Sequence, residues 1–326
     1  MNTYELNVTV VIPTVGKRPI ELKKAIESAR IRNANLSYEI LVIYNGCNKD
    51  KIDYSLQDEC VRLFYLKDGN VSNARNYGKY KSRGELIRFL DDDDYLYEDI
   101  AIKQYLEMLN DYEIGFSTYS LEIRDSNKLY NKVYSFERES FIIQAIEEKI
   151  LAVPLAMVFR SSVINNVEWD IFCRFPEDQG FVRRLAENGN LKSVCSRDIV
   201  GVWFQHEGER LSLAHPNSWF YENKFTTLKE LYLNLPNSEK NDVIKKLYLK
   251  NAWHYYHCGF HLNPWIWIAV GSELRSVDPE SKPNTKFFQL VPHYISPNII
   301  ELVLLPKRIL FYFFKKYFFK NKVRNL

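Results

Sequence analysis

Paired cysteines, long apolar runs and a large excess of one charge are all missing from this sequence. The five cysteines, Cys47, Cys60, Cys173, Cys195 and Cys258, are odd in number and scattered, and no two form a CxxC pair. That pattern argues against a disulfide framework or a zinc site and suits a reducing compartment. No uncharged apolar stretch reaches the roughly 18 residues that a membrane-spanning helix needs, so none is expected. Met1 to Val8 is polar and has no signal-peptide apolar region, so the chain is expected on the cytosolic side. The formal net charge is +3, too small for nucleic acid to be a global partner. There is no internal repeat and no low-complexity tract.

What is present is a foldable α/β pattern. Of 326 residues, 46% are hydrophobic and 26% charged, enough for a real core and for one large or two modest domains. Val8 to Ile12, Ile40 to Tyr44 and Val61 to Leu66 read as buried strands. Between them, Pro19 opens a helix with Leu22, Ala25, Ile26 and Ala29 on one face, and Val71 to Lys81 reads as a second helix. This alternation predicts a mostly parallel sheet covered on both sides, with ligands beyond the carboxyl ends of its strands. Thr14, Asn45 and the acidic run Asp91 to Asp94 all follow strand ends, so three loops are expected to meet on one rim.

Further on, the pattern predicts a helix over 99–109, strands over 114–123 and 129–136 with a turn at 125–127, and a helix from Phe141 to Leu151. Then come a strand at Ala156 to Arg160, a helix after Pro176-Glu177-Asp178-Gln179 and a last strand from Ile199 to Phe204. From about Asn217 the chain reads as helices over 219–233, 239–260 and 265–274, punctuated by Pro236, Pro264, Pro279 and Pro283. The expected division is a catalytic domain over 1–215 and a helical region over 216–326.

The stretch Glu85 to Asp94 carries the chemistry. Leu86, Ile87, Phe89 and Leu90 form a buried strand interrupted only by Arg88, and four aspartates follow in a row. Four like charges at a strand end need compensation, and a divalent cation on a polyphosphate supplies it. The structural alternative is an acidic loop capping the next helix.

Four pieces in order, Val10-Val11-Ile12-Pro13, Asn73-Ala74-Arg75-Asn76-Tyr77-Gly78, Phe89-Leu90-Asp91-Asp92-Asp93-Asp94 and Pro176-Glu177-Asp178-Gln179, resemble a family-2 glycosyltransferase of the GT-A fold over the first two-thirds of the chain. That resemblance implies an α/β architecture with a Rossmann-like mixed sheet flanked by helices, and an inverting transfer from a nucleotide sugar, UDP-hexose being favoured. It places Pro13, Thr14, Asn45, Arg75, Asp91 and Asp92 at the nucleotide sugar. Asp93 and Asp91 would bind Mn2+ or Mg2+, with His206 as a possible third ligand or a structural histidine. Asp178 would be the base that accepts the acceptor's hydroxyl proton and Glu177 its orienting partner; Asp178 is also placed to cap its helix. Two departures from the family pattern stand out. Tyr44 and Asn45 replace the usual aspartate pair, and Arg183-Arg184-Leu185 stands where processive members carry Gln-x-x-Arg-Trp, which favours one sugar per event.

Two rivals remain: a sugar-phosphate nucleotidyltransferase, against which stands the lack of a glycine-rich phosphate loop after the first strand, and a non-catalytic nucleotide-sugar-binding module. His254, His257 and His261 share a helical spacing with Cys258 nearby, but no carboxylate completes a metal set, so an aromatic packing face is expected. After Pro306, Leu310, Phe311, Phe314, Tyr317 and Phe318 share one arc, Lys315, Lys316, Lys320, Lys322 and Arg324 lie mostly away from it, and no acid follows Glu301. This reads as a basic aromatic helix on the inner membrane face, suited to a lipid-diphosphate-linked saccharide acceptor in O-antigen or capsule synthesis; the alternative is a helix packed on the catalytic domain.

Overall fold

The computed structural model describes residues 4–125, 128–135, 139–173, 176–205 and 218–323, the side chains of 218 and 312–323 aside. The chain divides into two compact units, Met1–Ser212 with Asn234–Pro236, and Leu213–Leu233 with Asn237–Leu326.

The first unit opens with β1 (Leu6–Thr14), α1 (Pro19–Ser28), β2 (Tyr38–Asn45), β3 (Val61–Leu66), α2 (Val71–Lys81) and β4 (Gly84–Phe89). It continues with β5 (Tyr95–Leu96), α3 (Glu98–Asn110), β6 (Ile114–Arg124), β7 (Leu129–Val133), α4 (Phe141–Ile146), β8 (Met157–Arg160), α5 (Ser161–Ile164), α6 (Glu177–Ala186) and β9 (Lys192–Phe204). The strands form one sheet in the order β3-β2-β1-β4-β8-β6-β9-β5, with β7 on β6. The β3-β2-β1-β4 half is parallel, whereas β8 lies antiparallel to both β4 and β6. The sheet is therefore mixed, as the GT-A resemblance implies, and less parallel than the strand–helix alternation alone predicts.

Chain order sets the position of the cleft. From β1 the chain steps outward to β2 and β3, then crosses back through α2 to lay β4 on the other side of β1. Loops after β1 and β4 thus leave in different directions, and such a switch point opens a crevice at the carboxyl ends. Both sheet faces are filled. Val8, Val10 and Ile12 pack with Leu22, Ala25 and Ile26 of α1 and with Tyr105 and Met108 of α3. On the other face Phe89 meets Trp169 edge-on at 5.1 Å, and Trp169 stacks on Phe181 at 4.2 Å. Gly78 lets α2 sit directly on β1, since a Cβ there would lie 2.2 Å from Val11 Cγ1. Gly46, at φ +64°, has the Cα of Gly69 2.3 Å from where its Cβ would be, so the loops after β2 and β3 meet backbone to backbone.

Two elements differ from the sequence expectation. The helix from Phe141 stops at Ile146, not Leu151, because Glu148 takes a left-handed φ of 54° and the Lys149 N–H closes back on the Gln144 carbonyl at 2.9 Å. This is a Schellman closure without the glycine that usually announces it. The last strand starts at Lys192, seven residues before Ile199, its polar half paired to β6 through register shifts. Phe136 and the turn residues Ser126 and Asn127 lie outside the described residues. Arg88, the one interruption in β4, is fully buried: it donates to Gln104 Oε1 at 2.5 Å and to the Leu155 carbonyl, with its guanidinium 4.9 Å from the Tyr105 ring centroid.

The second unit is helical: α7 (Ser218–Asn234), α8 (Asp242–Gly259), α9 (Pro264–Val277), α10 (Lys286–Leu290) and α11 (Pro297–Val323). Asn241 caps α8, accepting from the Val243 and Ile244 N–H groups. Its core is aromatic, with Tyr232 stacked on Tyr248 at 4.2 Å and Trp267 edge-on to Phe225 at 6.0 Å.

Candidate active site

The acidic run is one tight turn, closed by the Asp94 N–H on the Asp91 carbonyl at 3.1 Å, and its four side chains divide by direction. Asp92 and Asp94 point inward and are buried, while Asp91 and Asp93 keep more exposed side chains. Asp92 Oδ2 accepts the Thr14 hydroxyl at 2.5 Å, joining the ends of β4 and β1. Thr14 Oγ1 in turn accepts the Gly16 N–H at 3.0 Å, and the Thr14 carbonyl accepts the Asn45 side-chain amide at 3.0 Å. Three strand-end loops are thereby stitched together, with Pro13, Thr14 and Asn45 buried in the floor. Burial, then the neighbouring Asp93 and Asp91 charges, pushes the Asp92 carboxyl up to about 6, against the pull of Thr14 and Arg18.

Arg18, in the residue before α1, pairs with Asp93 and lies 3.4 Å from Asp92. Asp94 Oδ1 accepts the Phe204 N–H at 2.9 Å, tying the turn to the end of β9. Burial, followed by the charges of Asp91 and Asp93, raises the Asp94 carboxyl well above the usual range.

Arg75 is the hub. It rises from α2, is 1% exposed, and its guanidinium lies 4.4 Å from the Trp169 ring centroid. Nη2 donates to Asp91 Oδ1 at 2.8 Å, and Nη1 donates to Asp178 Oδ1 at 3.0 Å and Glu177 Oε1 at 3.2 Å. The ring that supports it is fixed by a reciprocal pair: Asn76 donates to the Trp169 carbonyl and accepts the Trp169 N–H, both at 2.8 Å. Pro176 holds the cap position of α6, so Glu177 and Asp178 stand in its first turn, where the helix dipole favours anions. Burial and the adjacent Glu177 charge nevertheless drive the Asp178 carboxyl well above its usual range, with Arg75 opposing. A carboxylate of raised proton affinity is a stronger base than an ordinary aspartate.

Of the residues singled out in the sequence, Asp91, Arg75, Glu177 and Asp178 form one hydrogen-bonded group, and Pro13, Thr14, Asn45, Asp92 and Asp93 surround the switch point. His206 lies outside the described residues. Among the described residues no cluster of three or more His, Cys, Asp and Glu side chains forms a ready metal cage. The part-exposed Asp91 and Asp93 do suit a hard cation of the magnesium type, which takes one or two carboxylates and leaves its other positions to water and phosphate. Arg18 and Trp169 escaped the sequence reading. A cation in the same rim loop as Thr14 was the available signal for Arg18, and an isolated tryptophan offers none.

Residues 9–185, more than half of the chain, match the family described as glycosyl transferase family 2. A glycosyltransferase of Rickettsia bellii is 27% identical over 66% of this chain and 31% of its own length. The minor teichoic acid biosynthesis protein GgaB of Bacillus subtilis is 23% identical over 73% of this chain and 28% of its own. EpsJ of Bacillus subtilis, an uncharacterised glycosyltransferase, is 24% identical over 65% of this chain and 62% of its own. The chain thus spans between about a third and two-thirds of the length of these relatives. Among solved structures, residues 1–349 of S. aureus TarS with UDP-GlcNAc superpose with a TM-score of 0.64 at 16% identity, covering 84% of this chain and 82% of that one. The same fragment with UDP gives a TM-score of 0.59 at 14% identity over the same shares. With its GT-A fold and this match, the chain belongs to glycosyl transferase family 2.

Proposed function

We propose that the protein is an inverting, metal-dependent glycosyltransferase that moves one hexose from a UDP-linked donor to a hydroxyl of a saccharide acceptor. The observation that carries this reading is that a single buried arginine, Arg75, hydrogen-bonds both the acidic turn through Asp91 and the candidate base Asp178. Donor-side and acceptor-side groups are thereby held within one arginine's reach.

Thr14, Asn45 and Asp92 would form the floor under the nucleotide, and Asp91 and Asp93 would hold a Mn2+ or Mg2+ ion. Such an ion, when bound, supplies positive charge to the departing diphosphate. Asp178 accepts the proton of the acceptor hydroxyl as its oxygen bonds the anomeric carbon and the bond to the diphosphate breaks. Attack from the face opposite the leaving group inverts that carbon. Arg75 and Glu177 fix where the base points. UDP is favoured by the UDP and UDP-GlcNAc in the TarS structures, and surface-polymer assembly by the teichoic acid role in GgaB's name. A lipid-diphosphate-linked acceptor fits an enzyme on the cytoplasmic membrane face with α11 as its surface helix. No helix among the described residues is long and apolar enough to cross a membrane.

Screening sugar nucleotides with Mn2+ for thermal stabilisation, then assaying transfer by wild type and Asp178→Asn, tests the reading. An enzyme is stabilised by its donor in both forms and loses transfer only in the variant. A binding module shows stabilisation and no transfer by wild type, which overturns the proposal.

A further inference from the structure

The second unit orients α11 by a buried polar lock. Glu301 is fully buried, and its Oε1 lies 2.7 Å from His257 Nδ1 of α8. Arg308, two turns on, reaches the same carboxylate at 3.1 Å and donates to the His257 carbonyl at 2.8 Å. Asn298 adds a bond to the Ile268 carbonyl of α9 at 3.0 Å. Seven residues separate Glu301 from Arg308, so both project from one side of the helix, and that side faces in.

The opposite side is apolar and bare. Ile299 is 58% exposed, Val303 74% and Leu310 62%, and Leu302, Pro306 and Ile309 are exposed between them. Their spacing of three and four places them on one stripe. This inverts the usual surface helix, which turns its charges outward. The sequence continues the stripe at Phe313, Phe314 and Tyr317, and beyond Phe311 it holds Lys315, Lys316, Lys320, Lys322 and Arg324 with no acid.

We propose that the stripe Ile299–Val303–Leu310 is itself a docking surface for an anionic phospholipid bilayer, and that the Glu301–Arg308–His257 lock sets which side of α11 meets the lipid. Charge selects the occupant. The basic tail is attracted to anionic headgroups, whereas two copies of it brought together would repel. The inference deepens the membrane-surface reading of the tail: contact begins before Pro306 and is apolar as well as ionic.

The test is co-sedimentation of the full chain with vesicles of mixed zwitterionic and anionic phospholipid, at low and high salt. Val303→Asp/Leu310→Asp should weaken binding by about tenfold or more while keeping the wild-type melting temperature, since both positions are exposed. Changing Lys315, Lys316, Lys320 and Lys322 to Gln should remove the salt-sensitive part of binding and leave a salt-resistant remainder. Wild-type binding by Val303→Asp/Leu310→Asp overturns the proposal. So does a solution dimer that this double variant breaks, which would assign the stripe to a second copy. Donor-induced thermal stabilisation, measured in parallel, reports on the catalytic reading separately, so the two can fail independently.

Discussion

Asp94 and Phe204 are joined by a 2.9 Å hydrogen bond from the Phe204 N–H to Asp94 Oδ1, which fastens the acidic turn to the end of β9. Asp94→Asn keeps an oxygen acceptor and sheds one charge from a crowded quartet, so its stability should stay close to wild type. Asp94→Ala strands a backbone donor and should cost about 1–3 kcal/mol. Urea unfolding of the two variants side by side checks the contrast.

Arg75 answers to three carboxylates at once. Arg75→Met should destabilise the fold by about 3–5 kcal/mol, because it leaves buried carboxylates uncompensated. Arg75→Lys keeps the charge and loses the planar fork, so it should hold part of that stability yet fail to position Asp91 and Asp178 together. Equilibrium unfolding read beside the transfer rate separates the two losses.

Stripping divalent cations should abolish transfer, and Mn2+ should restore it. Asp91→Asn and Asp93→Asn should each raise the Mn2+ concentration needed for half-maximal rate, whereas Glu39→Gln, at the opposite end of β2 from Asn45, should not. A metal titration of the transfer rate decides this. Unchanged activity after chelation would remove the ion from the proposal.

Glu39 gives a pH signature. Burial alone would raise its carboxyl, but bonds from Arg83, Arg62 and Thr9 outweigh burial and hold it below the usual range. A carboxylate with a lowered folded-state value stabilises fully above its unfolded value of about 4.3 and loses that contribution as pH falls through the folded value. Glu39→Gln should therefore be less stable than wild type at neutral pH, with the gap closing below about pH 4. Melting temperatures of both proteins from about pH 3 to about pH 8 would show it as converging curves.

Gly78 is a packing constraint. With Val11 Cγ1 2.2 Å from the position of an added Cβ, Gly78→Ala must push α2 off the sheet. The cost should be about 1–3 kcal/mol by denaturant unfolding.

The parallel half of the sheet was legible because β-branched runs such as Val8 to Ile12 and Ile40 to Tyr44 have little alternative in water than burial. The amino half of β9 was not. Lys192 to Asp198 has only Val194 and Cys195 as apolar residues, and its pairing to β6 comes from tertiary context and tolerates register shifts. The stop at Glu148 hid because a glutamate adopted the conformation that glycine signals. At the site, residue types were readable and partnerships were not. Arg75 was expected beside the nucleotide sugar, but its bonds to Glu177 and Asp178 span more than a hundred residues and exist only once α2 packs on β1 and α6 on β4. Arg18 reaches Asp93 across 75 positions of sequence, so its place in the Thr14 loop was the only hint and its partner was not legible.

The contact between Gly46 and Gly69 sets a fixed gauge for the cleft beside Asn45. Two main chains already touching cannot draw closer, and a side chain grafted onto either glycine would collide with the other backbone. If the proposed nucleotide site beside Asn45 holds, retuning its base preference would fall to the residues that flank the pinch.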